Sequence, residues 1–252
     1  MTNYTYMLNF VNGSRQYVLQ ELLEKYPRSE IINTANEKIV FNCDIEDIDE
    51  FRNLYSPTHI TDSNGKILNL SRRCWRKAYI PAGINPSLAY VLCMIGELDK
   101  EDIVYDPFCG SSTIPITALK YFGVKKVLAS DLSENAIKAS RLNFLSANIP
   151  DEKYSLFRSD VSKVYLNKQN IDKIISNLPF GIRVGSHQHN IFVYSSLEKL
   201  ADKLLRRKGK IVILSQEKIL VKNTFRNWDV KSVARVNEGG LLPEIFVIER
   251  KS

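Results

Sequence analysis

The sequence predicts an α/β fold in which a mostly parallel sheet carries helices on both faces, with a small α+β unit ahead of it. Three observations predict it. From Asp102 onward, short apolar runs alternate with stretches of helical period, the pattern of strand–helix–strand crossovers. Helix entries are marked by residues that offer a side-chain oxygen to unpaired N–H groups, as at Asn85 ahead of Pro86 and at Ser133. The first 60 residues instead change period every few positions, as a compact mixture of strands and helices does.

The opening stretch reads as strand Tyr4–Phe10, helix Ser14–Tyr26, strands Ser29–Ala35 and Lys38–Asn42 turning at Asn36-Glu37, and helix Ile45–Tyr55. Residues 56–81 are of mixed character, and a helix follows that Gly96 closes. The regular part begins with strand Ile103–Tyr105 and helix Ser112–Phe122, then strand Lys126–Ser130 and helix Glu134–Asn148. Strands Tyr154–Arg158 and Lys173–Ser176, helix Ile191–Arg207 and strand Lys210–Ser215 continue it. A short helix near 217–223 leads to strands Trp228–Val236 and Glu244–Glu249, whose Gly239-Gly240 turn implies an antiparallel hairpin at one edge.

Charge is divided unevenly. Residues 1–70 hold six Lys/Arg against ten Asp/Glu, leaving 29 against 18 for the remainder of a chain whose net charge is +7. The surplus sits in two clusters, Arg72, Arg73, Arg76 and Lys77, and Lys199, Lys203, Arg206, Arg207, Lys208 and Lys210. Such a surplus favours a polyanionic partner. No apolar run is long enough to span a bilayer and no secretory signal is visible, so membrane attachment is not expected. The four cysteines, Cys43, Cys74, Cys93 and Cys109, are scattered, which argues against a disulfide framework and for a reducing, cytoplasmic setting. His187 and His189 lack a third ligand at metal spacing, and no metal is expected.

In a sheet of this kind ligands collect where the strands end. The loop after the first parallel strand is Asp106-Pro107-Phe108-Cys109-Gly110-Ser111-Ser112-Thr113. It has one glycine and no lysine, which suits neither a dinucleotide pyrophosphate nor a P-loop phosphate. An acid, a rigid proline and a glycine turn suit a cofactor with an ammonium group and no phosphate, as in S-adenosyl-L-methionine. Asp131 ends the second strand, where it can accept from ribose hydroxyls, and Asp160 follows the third, where it can accept from an adenine amine. Each acid taken alone could equally cap a turn. Cys109 lies within this loop with nothing nearby to lower its pKa, so packing is its expected role.

After the fourth strand comes Asn177-Leu178-Pro179-Phe180-Gly181, a stiff, partly polar turn. An amine on an aromatic ring is a poor nucleophile because its lone pair is delocalised. Accepting its two protons, one at the Asn177 side-chain oxygen and one at a backbone carbonyl near Leu178, draws it toward a nucleophilic geometry. Phe180 can stack on the base, and Arg183 can meet a phosphate or stay solvated.

Three runs, Pro81-Ala82-Gly83-Ile84-Asn85-Pro86-Ser87-Leu88-Ala89, Asp106 to Pro115, and Asn177 to Arg183, agree in order and spacing with one family. Over residues 72–250 the chain resembles the THUMP-associated tRNA guanosine-N2 methyltransferases. The resemblance implies a Rossmann-like class I methyltransferase fold with a seven-stranded, mostly parallel sheet. The implied cofactor is S-adenosyl-L-methionine, held by Pro81, Ala82, Asp106, Phe108, Gly110, Thr113, Asp131, Leu132, Asp160, Val161 and Asn177. Asn177, Leu178, Pro179 and Phe180 become the catalytic turn that orients guanine, and Arg72, Arg73, Arg76, Lys77 and Arg183 the RNA contacts. Residues 1–62 look like the ferredoxin-like unit of that family, 63–85 a linker covering the cofactor, and 86–252 the catalytic domain.

The sequence departs from the family in two places. The usual Gly-Ser-Gly-Thr reads Gly110-Ser111-Ser112-Thr113, and the THUMP domain has no room before Arg72. The expected grip on tRNA is therefore the basic catalytic domain, a second copy of the chain or a separate RNA-binding protein. Beside tRNA, the residues leave ribosomal RNA, DNA adenine or cytosine, and a protein glutamine open as methyl acceptors, together with a non-catalytic RNA-binding role.

Overall fold

The computed structural model describes residues 3–35, 37–168, 170–180 and 187–251, the His187 side chain excepted. Asn36, expected in a turn, and Gly181, Ile182 and Arg183 lie outside the described residues.

The N-terminal sheet contains β1 (Tyr4–Asn9), β2 (Glu30–Thr34), β3 (Lys38–Cys43), β4 (His59–Asp62) and β5 (Ile67–Asn69), with helix α1 (Arg15–Lys25) between β1 and β2. Its order is β2-β3-β1-β4-β5 and every pairing is antiparallel. The first four strands thus have the arrangement of a ferredoxin-like unit. In place of the helix expected over Ile45–Tyr55 there is a 3-10 stretch, Ile48–Asn53. Ile48, Phe51 and Leu54 are buried, and their spacing of three stacks them on one side of a 3-10 turn but spreads them around an α-helix. Strands β4 and β5 were not expected. Each buries one apolar side chain, Ile60 and Leu68, too little alternation to read, and the turn between them is held by Asp62, whose Oδ1 accepts from Asn64 N and Lys66 N. The sheet therefore draws strands from both sides of residue 62.

The second sheet contains β6 (Ile103–Asp106), β7 (Lys126–Asp131), β8 (Tyr154–Arg158), β9 (Ile171–Asn177), β10 (Leu205–Ser215), β11 (Trp228–Arg235) and β12 (Glu244–Arg250). Its order is β11-β12-β10-β9-β6-β7-β8; β12 alone runs opposite to the other six strands and forms the expected edge hairpin with β11. This is the seven-stranded class I methyltransferase arrangement. Period-two alternation serves two cores at once. Val212, Leu214, Ile245 and Val247 face one core together with Leu88, Leu92 and Ile116 from helices α2 (Pro86–Ile95) and α3 (Thr113–Thr117). Ile211, Ile213, Phe246 and Ile248 face the other with Leu197 and Val221 from α5 (His187–Leu204) and α6 (Lys218–Thr224).

Caps fall where the sequence places them. Asn85 Oδ1 accepts from Ser87 N at 2.8 Å ahead of Pro86, and Ser133 Oγ accepts from Ala136 N at the start of α4 (Glu134–Ser146). Two helix ends differ from expectation. After Thr117 the chain widens into a π-turn over Ala118–Phe122. α5 stops at Leu204 and passes directly into β10, whose register against β9 shifts between Leu205 and Lys210; Arg206 and Arg207 are therefore in an irregular strand, with Arg206 paired to Asp172 at 2.6 Å.

The two sheets are joined by a buried polar seam. Glu21 is 1% exposed, and its carboxylate accepts from Tyr55 N, Ser56 N and the Ser56 hydroxyl and pairs with Lys25 at 2.6 Å. Arg73 donates to the carbonyls of Leu70 and Tyr55, and its guanidinium lies 5.3 Å and 5.6 Å from the Tyr55 and Tyr121 ring centres. Ser87 Oγ donates to Pro57 O at 2.7 Å. At the other end of the seam Gly13 lies against the Arg235 carbonyl, where a β-carbon would stand 1.9 Å away. Among the described residues no helix is long and apolar enough to cross a membrane.

Candidate active site

Strand β6 delivers Asp106 to the sheet's carboxyl end, 2% exposed. Ser176 Oγ donates to its Oδ1 at 2.6 Å and Phe108 N at 3.1 Å. Burial dominates, and the carboxyl is pushed up to about 7. β7 delivers Asp131, half-buried, whose Oδ2 accepts from Gly110 N at 3.0 Å and Oδ1 from Ser133 N at 2.9 Å. Its pKa is raised by burial against the opposing pull of these N–H groups. A carboxylate has about four lone-pair sites, so with Gly110, Ser133 and Leu132 N–H as partners it keeps room for a hydroxyl donor. Gly110 takes φ +55°, and a β-carbon there would come within 2.7 Å of Ile80 Cδ1. The loop is thus closely covered by the segment before α2.

That covering segment is fastened by one residue that sequence reasoning missed. Asn143, fully buried on α4, accepts from Lys77 N and Ala78 N at its Oδ1 and donates from Nδ2 to Ala78 O and Ser111 O, all at 2.8–3.0 Å. Nearby, Ser140 Oγ donates to Gly110 O at 2.7 Å and receives from Ser112 Oγ at 2.8 Å. The available signal was a polar pair, Ser140 and Asn143, on the buried stripe of α4. Ser112 stands in the left-handed region at φ 60°, ψ 34°. That geometry accounts for the glycine usual at this position.

The acceptor turn begins where β9 ends. Asn177 is paired in register with Leu214 of β10, and Leu178 N donates to Leu214 O. Asn177 Nδ2 reaches the Ala82 carbonyl at 3.4 Å, while its buried Oδ1 has no hydrogen-bond partner among the described residues. Pro179 O receives two donors from α5, Asn190 Nδ2 at 3.1 Å and Tyr194 OH at 3.0 Å, and Tyr194 is also bonded to Ser215. Asn190 and Tyr194, fully buried, also escaped sequence reasoning. Phe180 is half-buried against the first core.

Hydrogen bonds thus link most of the expected site: Asp131 to Gly110, Asp106 to Ser176 beside Asn177, and Asn177 to Ala82. Pro81 and Ala82 are exposed, Ala82 with φ 58°, and Leu132 is an exposed apolar side chain next to Asp131. Asp160 stands one hydrogen bond further out, its neighbour Ser159 donating to Asp131 O. Its carboxylate caps the 3-10 turn Val161–Lys163 by accepting from Ser162 N and Oγ, which lowers its pKa. Phe108 is half-buried, whereas Thr113 and Val161 are buried in the fold. Cys109 is buried among apolar groups, and burial pushes its thiol up.

Of the basic cluster, Arg72 and Lys77 are exposed, and Arg76 is half-buried with its guanidinium 4.8 Å from the Tyr79 ring centre. Arg73 is corrected: it is 7% exposed and directed into the seam, because its guanidinium satisfies buried carbonyls there.

The profile of the RMKL-like methyltransferase domain family, UPF0020, matches residues 73–244. The chain is 28% identical over 183 residues to the tRNA (guanine(6)-N2)-methyltransferase of Thermus thermophilus, covering 72% of this chain and 54% of that protein. It is 24% identical to the protein of the same description from Methanocaldococcus jannaschii, covering 74% and 59%. The chain therefore spans little more than half the length of these curated relatives. The crystal structure of TrmN from Thermus thermophilus superposes with a TM-score of 0.86 at 18% identity, covering 98% of this chain and all of that one. At that identity the likeness is one of fold.

Proposed function

The chain belongs to the RMKL-like methyltransferase domain family, and from that premise we propose that it methylates the 2-amino group of a guanosine in tRNA, using S-adenosyl-L-methionine. Two relatives are described as tRNA (guanine(6)-N2)-methyltransferases. The observation that carries the chemistry is Asn177 Oδ1, a buried acceptor at the end of β9 without a partner among the described residues. Such an atom is costly to leave unsatisfied, and an aromatic amine is the donor that would complete it.

The residues fit the cofactor. Gly110 offers backbone without a side chain, Asp106 offers a carboxylate for an ammonium group, and Asp131 keeps room for a ribose hydroxyl. When bound, S-adenosyl-L-methionine supplies an electrophilic methyl group on a sulfonium. Asn177 Oδ1 and the carbonyl of Leu178 accept the two amine protons, which localises the nitrogen lone pair for in-line attack. Phe180 stacks on the ring, and the clamp of Asn190 and Tyr194 on Pro179 O holds the turn at one geometry. No metal is needed for direct displacement.

Arg72, Arg76, Lys77 and Arg183 supply the phosphate contacts in this scheme. A cytoplasmic setting goes with it, as do four cysteines that are all free thiols. The test is incubation with unmodified tRNA and labelled cofactor followed by nucleoside mass spectrometry. N2-methylguanosine is expected; label confined to ribosomal RNA, DNA bases or protein glutamine, or no transfer at all, would refute the proposal.

A further inference from the structure

The segment that covers the cofactor loop carries an aromatic ring that neither the cofactor site nor the acceptor turn uses. Tyr79 is 68% exposed, although the residues on both sides of it are held down. Ala78 is bonded to Asn143 through both its N–H and its carbonyl, and Ile80 lies over Gly110. The Arg76 guanidinium lies over one face of the ring, 4.8 Å from its centre. Arg76 is in turn lodged against Gly83, where a β-carbon would come within 3.0 Å of Nη2. Gly83 N donates to Ile80 O at 3.2 Å, so residues 80–83 make a tight turn that folds Gly83 back toward Arg76. Ala82, in the same turn, gives its carbonyl to Asn177 Nδ2. Three residues of chain span at most about 10 Å, which places Tyr79 on the rim of the acceptor turn.

A lone surface tyrosine is ordinary. Here one ring face is backed by a guanidinium, the exposure leaves the other face to solvent, and the exposed cations Arg72 and Lys77 lie within seven residues of it. An aromatic platform beside positive charge is the combination that holds single-stranded nucleic acid, the ring taking a base and the cations its phosphates. Resting on the tRNA reading above, we infer that Tyr79 stacks on the base of a nucleotide adjacent to the methylated guanosine and holds the strand in register while that guanosine lies at Asn177. Every base has a π-face, so the contact tolerates sequence, and a ring already held by Arg76 loses little freedom on binding. Tyr79 is thus a positioning residue for the acceptor strand, separate from the groups that hold the methyl donor or accept the amine protons.

The experiment uses unmodified tRNA together with two ligated versions of it that lack the base on the 5′ or on the 3′ side of the methylated guanosine. On intact tRNA, Tyr79→Ala should lower kcat/KM by about 10-fold or more, with the loss in KM rather than kcat. Tyr79→Phe, which keeps the ring, should stay within about threefold of wild type, and both variants should bind S-adenosyl-L-methionine as wild type does. One of the two abasic tRNAs should cost the wild type about 10-fold or more, and the same tRNA should cost Tyr79→Ala less than about threefold. Any effect of the missing base on the RNA itself is common to both proteins and cancels in that comparison. A penalty of the same size in wild type and Tyr79→Ala would overturn the inference, as would no penalty from either abasic tRNA. Tyr79→Phe as impaired as Tyr79→Ala, or a loss of cofactor affinity in either variant, would overturn it too. A wild type inert on intact tRNA would overturn the methylation scheme itself and the inference with it.

Discussion

Replacing Asn143 by alanine isolates the contribution of the segment that covers the cofactor loop. The side chain makes four hydrogen bonds, to Lys77 N, Ala78 N, Ala78 O and Ser111 O, and is itself completely buried. At about 1 kcal/mol net for each bond, with more where a group stays dry and unpaired and less at exposed Lys77, the loss comes to about 3–4 kcal/mol. Equilibrium urea unfolding measures it. Because Asn143 ties residues 77–78 to the loop containing Ser111, S-adenosyl-L-methionine affinity should fall with it, by at least about tenfold, read by calorimetry. Asn143→Asp keeps the acceptor for the two N–H groups but points an oxygen at two carbonyls, so above neutral pH it should lose at least as much as alanine. A loss below about 1 kcal/mol in Asn143→Ala, or a wild-type Asn143→Asp, would refute the idea that this one amide holds the cover in place.

Further outcomes follow from the same geometry. Asn177→Ala should lower kcat by about 100-fold or more with cofactor affinity within about twofold of wild type; equal losses in both would mark the residue as structural. Asp131→Ala should weaken cofactor binding by about 1–3 kcal/mol and also destabilise the loop by releasing Gly110 N; unchanged affinity removes it from the site. The Asp106 carboxyl, raised to about 7 from 3.8 by burial, binds a proton in the folded chain that the unfolded chain has lost. Its contribution to stability is therefore full below pH ~4 and declines toward pH ~7, by about 4 kcal/mol at most, and Asp106→Asn should flatten that window in thermal melts. A cation beside the same group favours the ionised form, so S-adenosyl-L-methionine affinity should rise with pH and level off above ~7; a flat profile counts against Asp106 as its partner. Ser112→Gly should be more stable than Ser112→Ala by about 1 kcal/mol, since only glycine relieves the left-handed backbone; equal stabilities would deny the strain.

The regular half of the fold was legible because β6, β7, β9, β10 and β12 each serve two cores, so apolar runs bounded by turns stand out. The short strands β4 and β5 were not, because one buried residue apiece leaves no period to detect. The 3-10 stretch at Ile48 could have been read from its spacing of three. Of the candidate site, the strand-end acids and the Asn177 turn stand out from their position within the alternation. Arg73, Asn143, Asn190 and Tyr194 do not, because their partners lie far along the chain and their chemistry depends on burial, which separates a phosphate-seeking arginine from one that holds carbonyls in a seam.

The buried join at Glu21, Arg73 and the Tyr55 and Tyr121 rings fastens the N-terminal sheet to the seven-stranded half. Anything seated on the first is offered to the second at one span and one angle, as between the jaws of a caliper set to a single width. Softening the join, for instance with Glu21→Gln, which removes the charge that Lys25 pairs with, should loosen that span, a change that faster proteolysis near residues 55–73 would read.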